Sequence, residues 1–385
     1  MSDFIPLSVP AIRGNEWQYI KECLDTEWVS SAGKYVDRFE QDIARFTGAK
    51  HAVACVNGTS ALHIALQLVG VKPGDEVIVP TVTFVAPVNV VRYCFAEPVF
   101  MDCDDYYNID VEKLEQFLKR QTHQQGGVCI NKKSGKSIRA IIPVHVFGNA
   151  ARLDALLPLC SERNIRVVED ASESLGTRYV GCCGDRHTGT VAEVGCLSFN
   201  GNKIITTGGG GMILTDQDEL AARARYLTTQ AKTDEVRYTH GDVGYNYRLT
   251  NIQAALGVAQ LEQLPEYLQI KRKNFTAYRE ALQNVAGLRI APGPGYAENN
   301  YWMYALQIDP RKYGRDREGV MAHLAAQRIQ SRPLWYLNHL QKPYAGCEAW
   351  DVALAPQLLA STLNLPCSVN LKEEQIQRVL AALGN

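Results

Sequence analysis

Long apolar runs are missing from this chain: no stretch reaches the roughly 18 residues that a membrane-spanning helix needs. A basic surplus is missing too. The 40 lysines and arginines face 41 aspartates and glutamates, leaving a formal net charge of -1, so counterion release gives no grip on nucleic acid or on an anionic membrane. The opening residues, MSDFIPLSVP, have neither the basic nor the apolar portion of a secretory signal, and the expected location is cytoplasmic. No G-x-G-x-x-G opens a helix, which disfavours a simple dinucleotide-binding unit. The 11 cysteines are an odd number scattered along the sequence, a pattern that favours free thiols in a reducing compartment. Cys182 and Cys183 are adjacent, but no second cysteine or histidine pair stands at zinc-like spacing, so no metal is expected.

What is present is a globular composition, with 46% hydrophobic and 21% charged residues over 385 positions. That length suits one large domain and a smaller one. Strand-like and helix-like segments alternate, the signature of an α/β sheet covered on both faces. Val36 to Phe46 reads as a helix and His51 to Val56 as a short buried strand. A helix follows from Ser60, with Leu62, Ala65, Leu66 and Val69 on one face. Glu76 to Val79, Arg139 to Val146, Ile165 to Glu169, Gly195 to Phe199 and Met212 to Thr215 read as strands; Leu153 to Arg163 and Asp218 to Leu227 read as helices. Lys132 to Gly135 looks like a hairpin tip. A long helical stretch runs from Asn251 to Leu282, with a break expected at Pro265. Division into a large domain, 1–260, on which the N-terminal segment packs, and a small α+β domain, 261–385, follows from this pattern.

Three segments carry chemistry. Asn57-Gly58-Thr59-Ser60 lies between a strand and a helix, where unpaired N–H groups and the helix dipole favour an anion; a plain helix cap explains the same residues. Glu169-Asp170-Ala171-Ser172-Glu173 delivers Asp170 to the carboxyl end of a strand, where open α/β sheets bind ligands. A carboxylate there can keep a ring nitrogen protonated, although a helix-capping aspartate is an equal reading. Ser198-Phe199-Asn200-Gly201-Asn202-Lys203, followed by Gly208 to Gly211, offers a hydroxyl for a phosphate and an amine able to condense with an aldehyde. In isolation Lys203 reads as a solvated loop lysine; together, the three segments supply an anion nest, a carboxylate and an amine at the mouth of one sheet.

These segments, with Gly244-Tyr245-Asn246-Tyr247-Arg248 and the residues up to Gly257, resemble the DegT/DnrJ/EryC1/StrS family of sugar aminotransferases. The resemblance extends from Val29-Ser30-Ser31-Ala32-Gly33 to Arg332-Pro333-Leu334-Trp335. It implies the fold-type I architecture of pyridoxal 5'-phosphate (PLP) enzymes, with a large mixed sheet of the seven-stranded type. By that similarity Lys203 is the PLP lysine and Asp170 the partner of the ring nitrogen. Ser198, Gly58 and Thr59 are phosphate ligands, and Phe84 stacks on the ring. Glu173 departs from the glutamine or histidine common near the ring hydroxyl. A glutamate there must be protonated to donate a hydrogen bond.

The same resemblance implies that Asn246 reaches the cofactor phosphate of the neighbouring subunit, so that a homodimer shares its active sites. Ser31, His145, Arg248, Trp335 and His339 are the expected substrate-side residues. For His145 a satisfied core histidine remains an alternative, and for Arg248 a structural salt bridge. Within the family the chain looks most similar to the legionaminic-acid branch, implying amination at C4 of a UDP-linked 4-keto-6-deoxy-N-acetylhexosamine with L-glutamate as donor. The rival substrate is the GDP-linked 4-keto-6-deoxymannose of perosamine formation. A non-catalytic regulator of the same fold is the rival from another class, and it has no use for Lys203.

Overall fold

The computed structural model describes residues 4–234 and 236–384. Among them, eight strands form the large sheet. In chain order the first seven are β1 (His51–Cys55), β2 (Glu76–Pro80), β3 (Glu97–Met101), β4 (Ile138–Ile141), β5 (Arg166–Asp170), β6 (Val194–Ser198) and β7 (Gly211–Thr215). The spatial order is β1-β7-β6-β5-β4-β2-β3, and the eighth strand, Ala349–Trp350, adds parallel to β3 at the edge. From β6 to β3 every pairing is parallel, whereas β7 runs antiparallel to both β1 and β6.

Alternation of side chains explains why both faces are covered. Val53 and Cys55 of β1 and Ile213 of β7 enter one apolar cluster, together with Leu62, Ala65 and Leu66 of the helix Gly58–Leu68. Ala52 and Ala54, with Met212 and Leu214, enter the other, against Phe39 and the helix Asn251–Leu282. A second sheet of four antiparallel strands is built from Leu288–Ile290, Tyr304–Ile308, Thr362–Leu365 and Arg332–Pro333.

Three features differ from the sequence reading. The helix Asn251–Leu282 runs unbroken through Pro265. A proline inside a helix costs about 3 kcal/mol, but Leu264, Tyr267 and Leu268 are buried around it, and the Tyr267 hydroxyl donates to the Ala11 carbonyl; packing outweighs the lost N–H bond. The strand expected to reach Val146 stops at Ile141, because Pro143 has no N–H to continue the ladder. Val144 makes a single bridge to Asp170, and Phe147 turns with φ 59°. The N-terminal segment is expected on the large sheet domain, and Ala11 and Cys23 do pack there, in the cluster of Ala52, Ala54 and Phe39. Ile5 instead pairs with Ile329, and Leu7 accepts a hydrogen bond from the Cys367 N–H, placing these residues beside the small sheet.

The loop Lys132 to Gly135 is a tight turn, closed by the Asn131 N–H donating to Lys136. All 11 cysteines are free. No helix of the described residues is long and apolar enough to cross a membrane, and they contain no group of three or more histidines, cysteines and acids able to hold a metal.

Candidate active site

The carboxyl ends of β1, β2, β5 and β6 open onto one cavity of about 280 Å³, the position where open α/β sheets bind ligands. Gly58, Thr59, Phe84, Asp170, Glu173, Ser198, Lys203 and Trp335 all lie on its wall. Their sequence separations are large, and the sheet order brings them together.

Asn57 caps the helix Gly58–Leu68 by accepting the Ser60 N–H at 2.7 Å. The first N–H groups of that helix are left for an anion. A Cβ at Gly58 would come within 2.8 Å of the Ser198 Cβ, so glycine is what allows the helix start to close against the Ser198 hydroxyl. This is a cradle that any side chain would fill.

Asp170 ends β5 and is 3% exposed. One carboxylate oxygen accepts the Ser172 N–H at 3.0 Å, and burial raises its pKa above the ordinary carboxylate range. Its neighbour Glu169 faces the other way, as strand alternation requires, and accepts the N–H groups of Gly189, Val191 and Ala192. Burial pushes the Glu169 pKa up, but the His145 hydrogen bond and the backbone N–H groups outweigh it and hold the carboxyl below its usual range.

Lys203 follows the loop leaving β6. Its Nζ lies 3.7 Å from Oε1 of Glu173 and 4.0 Å from the ring centre of Trp302. Glu173 Oε2 accepts the Phe147 N–H at 2.8 Å, which explains the left-handed turn at Phe147. Burial drives the Glu173 pKa up to about 7, and the nearby Lys203 only partly offsets this. The folded chain therefore binds this proton more tightly than the unfolded chain, and stability falls as pH rises from the ordinary 4.5 to about 7. A shift of that size corresponds to about 3 kcal/mol. In the cofactor-free protein, Glu173→Gln should remove that loss. Urea unfolding at pH 4.5 and pH 8 should show the variant gaining about 3 kcal/mol on the wild type across the interval; parallel profiles would refute the titration.

Several expected residues lie elsewhere. His145 is fully buried behind Asp170: Nδ1 accepts the Ala151 N–H at 3.0 Å, leaving the Nε2 proton for Glu169, also at 3.0 Å. It is a satisfied core histidine and not a cavity wall. Arg248 is paired with Glu40, a carboxylate it shares with Arg225, which matches its charge within the chain. The His339 ring bonds to the Thr81 hydroxyl at 2.6 Å, beneath the loop after β2 and off the cavity wall. Ser31 and Asn246 are exposed and outside this cavity. Sequence reasoning missed Trp302, whose Nε1–H donates to the Asn202 carbonyl at 2.7 Å. The only signal was an aromatic residue after two asparagines, about a hundred positions from Lys203.

An anion cradle, a buried carboxylate and an amine beside the exposed ring of Phe84 fit a flat phosphorylated aldehyde, and the fold and donor set define the class as a PLP-dependent aminotransferase. The chain belongs to the DegT/DnrJ/EryC1/StrS aminotransferase family, whose model matches residues 10–384. It is 40% identical over 387 aligned positions to GDP-perosamine synthase of Caulobacter vibrioides, covering 100% of this chain and 99% of that one. It is 36% identical to GDP-perosamine synthase of Vibrio cholerae, with 99% and 98% covered. Among solved structures, a DegT DnrJ EryC1 StrS aminotransferase from Brucella abortus superposes with a TM-score of 0.86 at 28% identity, over 96% of this chain and 94% of that one.

Proposed function

We propose that this enzyme transfers an amino group from L-glutamate to C4 of a GDP-linked 4-keto-6-deoxymannose. The observation that carries the reaction is Lys203 facing Asp170, Glu173 and Ser198 across one cavity. The GDP sugar is supported by end-to-end similarity to proteins named GDP-perosamine synthase. That similarity favours it over the UDP-linked N-acetylhexosamine of the legionaminic-acid branch.

When bound, PLP supplies the aldehyde that carries the amino group and a ring that draws electrons from the donor's α-carbon. In this reading Lys203 would be its covalent anchor, Asp170 would hold the ring nitrogen protonated, and Gly58, Thr59 and Ser198 would bind the phosphate. Phe84 supports the ring face. Glu173, whose carboxyl pKa is raised by burial to about 7, would in its protonated form donate toward the ring hydroxyl. The Lys203 amine, placed on this cavity wall, would serve as the base that takes the donor's α-proton and as the acid that gives it back, with the keto sugar asking for the same work in reverse. Trp335, on the cavity wall, faces the sugar. The exposed Asn246, outside the cavity of its own chain, would reach the partner subunit's cofactor phosphate across a homodimer.

With glutamate as donor, GDP-4-keto-6-deoxymannose should be turned over with a kcat/KM at least about tenfold above that of UDP-4-keto-6-deoxy-N-acetylglucosamine, the discrimination of roughly one unpaired polar contact. The opposite preference in a steady-state assay of both sugars would return the assignment to the UDP branch.

A further inference from the structure

Lys271, in the middle of the helix Asn251–Leu282, is 3% exposed, and no carboxylate pairs with it among the described residues. A buried ammonium without a counter-charge is costly, and burial pulls its pKa down. Its protons go to two backbone carbonyls, Trp302 at 2.8 Å and Cys367 at 2.6 Å, with the Tyr304 ring beside it. The segment it grips is held from every side. Tyr301 takes φ 49°, a costly conformation for a non-glycine residue, and stacks on Phe275 with ring centres 3.8 Å apart. Asn299 and Asn300 accept the N–H groups of Tyr301 and Trp302. Asn300 also donates to the carbonyls of Glu173 and Leu175.

The product of these constraints is the orientation of one indole. The Trp302 N–H is bonded to Asn202, the residue before Lys203, and its ring face lies 4.0 Å below the Lys203 Nζ. A ring face attracts a cation. We propose that Trp302 is a positioning residue for the transfer: its indole face receives the ammonium that Lys203 becomes on taking the donor's α-proton, and Lys271 fixes the indole there. This rests on Lys203 being the lysine that anchors the cofactor. The proton passes from the α-carbon to Nζ and out again at C4′, so the lysine gains and loses one charge in each half of the transfer. Holding the charged form against a ring keeps a long, mobile side chain within reach of the atom it must reprotonate.

The test uses the cofactor-free protein first. Limiting formaldehyde with cyanoborohydride methylates neutral amines, and mass spectrometry reads Lys203 against an exposed reference such as Lys119. Trp302→Leu should speed Lys203 labelling about three- to tenfold. Trp302→Phe, which keeps a ring but lacks the N–H, should stay within about twofold of wild type. Lys271→Met should fall between them. In the loaded enzyme, Trp302→Leu should lower kcat about tenfold with KM for the sugar unchanged, and the isotope effect with α-deuterated glutamate should rise. Phe at this position should restore most of kcat. Equal labelling in all variants overturns the proposal. So does a Phe variant that behaves like Leu, since the bond to Asn202 alone would then matter. The labelling is read without PLP, so its failure is separable from a failure of the aminotransferase reading, which the loss of Lys203 itself tests.

Discussion

Lys203→Ala is expected to lower transamination by roughly 10⁴-fold or more, because one side chain is both the anchor and the proton carrier. The purified variant should also lack the visible absorbance of lysine-bound PLP, and neither effect should be accompanied by unfolding. Among the described residues Lys203 has no structural ion pair to lose except the 3.7 Å approach to Glu173, whose own burial cost is not repaid by that contact. Undiminished turnover in this variant is fatal to the assignment. The same variant tests subunit sharing. Asn246 is exposed and lies outside the cavity of its own chain. Mixed dimers of Lys203→Ala with Asn246→Ala should therefore regain about one working site, since one cavity receives both intact residues. No recovery on mixing argues for sites contained within single chains.

Asp170→Asn should cost roughly 10²–10³-fold in kcat/KM, the usual loss when a preorganised charge facing the reacting group is removed. Its effect on the fold should be the reverse. Burial raises the Asp170 pKa, which means that the ionised carboxyl is worse off in the folded chain than in the unfolded one. That penalty is absent below the ordinary aspartate pKa and grows as pH rises towards the folded value. An asparagine keeps an oxygen for the Ser172 N–H and carries no charge to desolvate. The cofactor-free variant should thus melt at or above the wild type at pH 8. A variant that lost both activity and thermal stability would mean that Asp170 holds the loop together and that its catalytic role is secondary.

Much of this arrangement was legible in the sequence, for a definite reason. Strands buried on both faces read as short apolar runs, and the residues after them must stand at the sheet's mouth. His51 to Val56 followed by Asn57, and Ile165 to Glu169 followed by Asp170, were therefore placed correctly without any knowledge of pairing. What the sequence left open or hid depended on contacts between distant segments. Arg248 meets Glu40 across 208 positions, and no local pattern shows that its charge is already matched. His145 follows a strand as Asp170 does, but only the loop carrying Ala151 decides that its ring is enclosed. Trp302 is invisible for the same reason: a strained turn in the second sheet's segment delivers it to the first sheet's cavity. Pro265 failed differently, because a local rule was overridden by burial on both sides of it.

The pairing of Ala349–Trp350 with β3 has a consequence for how the polypeptide can be divided. Residues about 250 positions beyond β3 close the open flank of the large sheet. A fragment ending before Ala349 leaves the main-chain donors and acceptors of Phe100 and Met101 uncovered, a template on which other chains can dock. The large sheet is complete only once the polypeptide as far as Trp350 can fold back onto Phe100 and Met101.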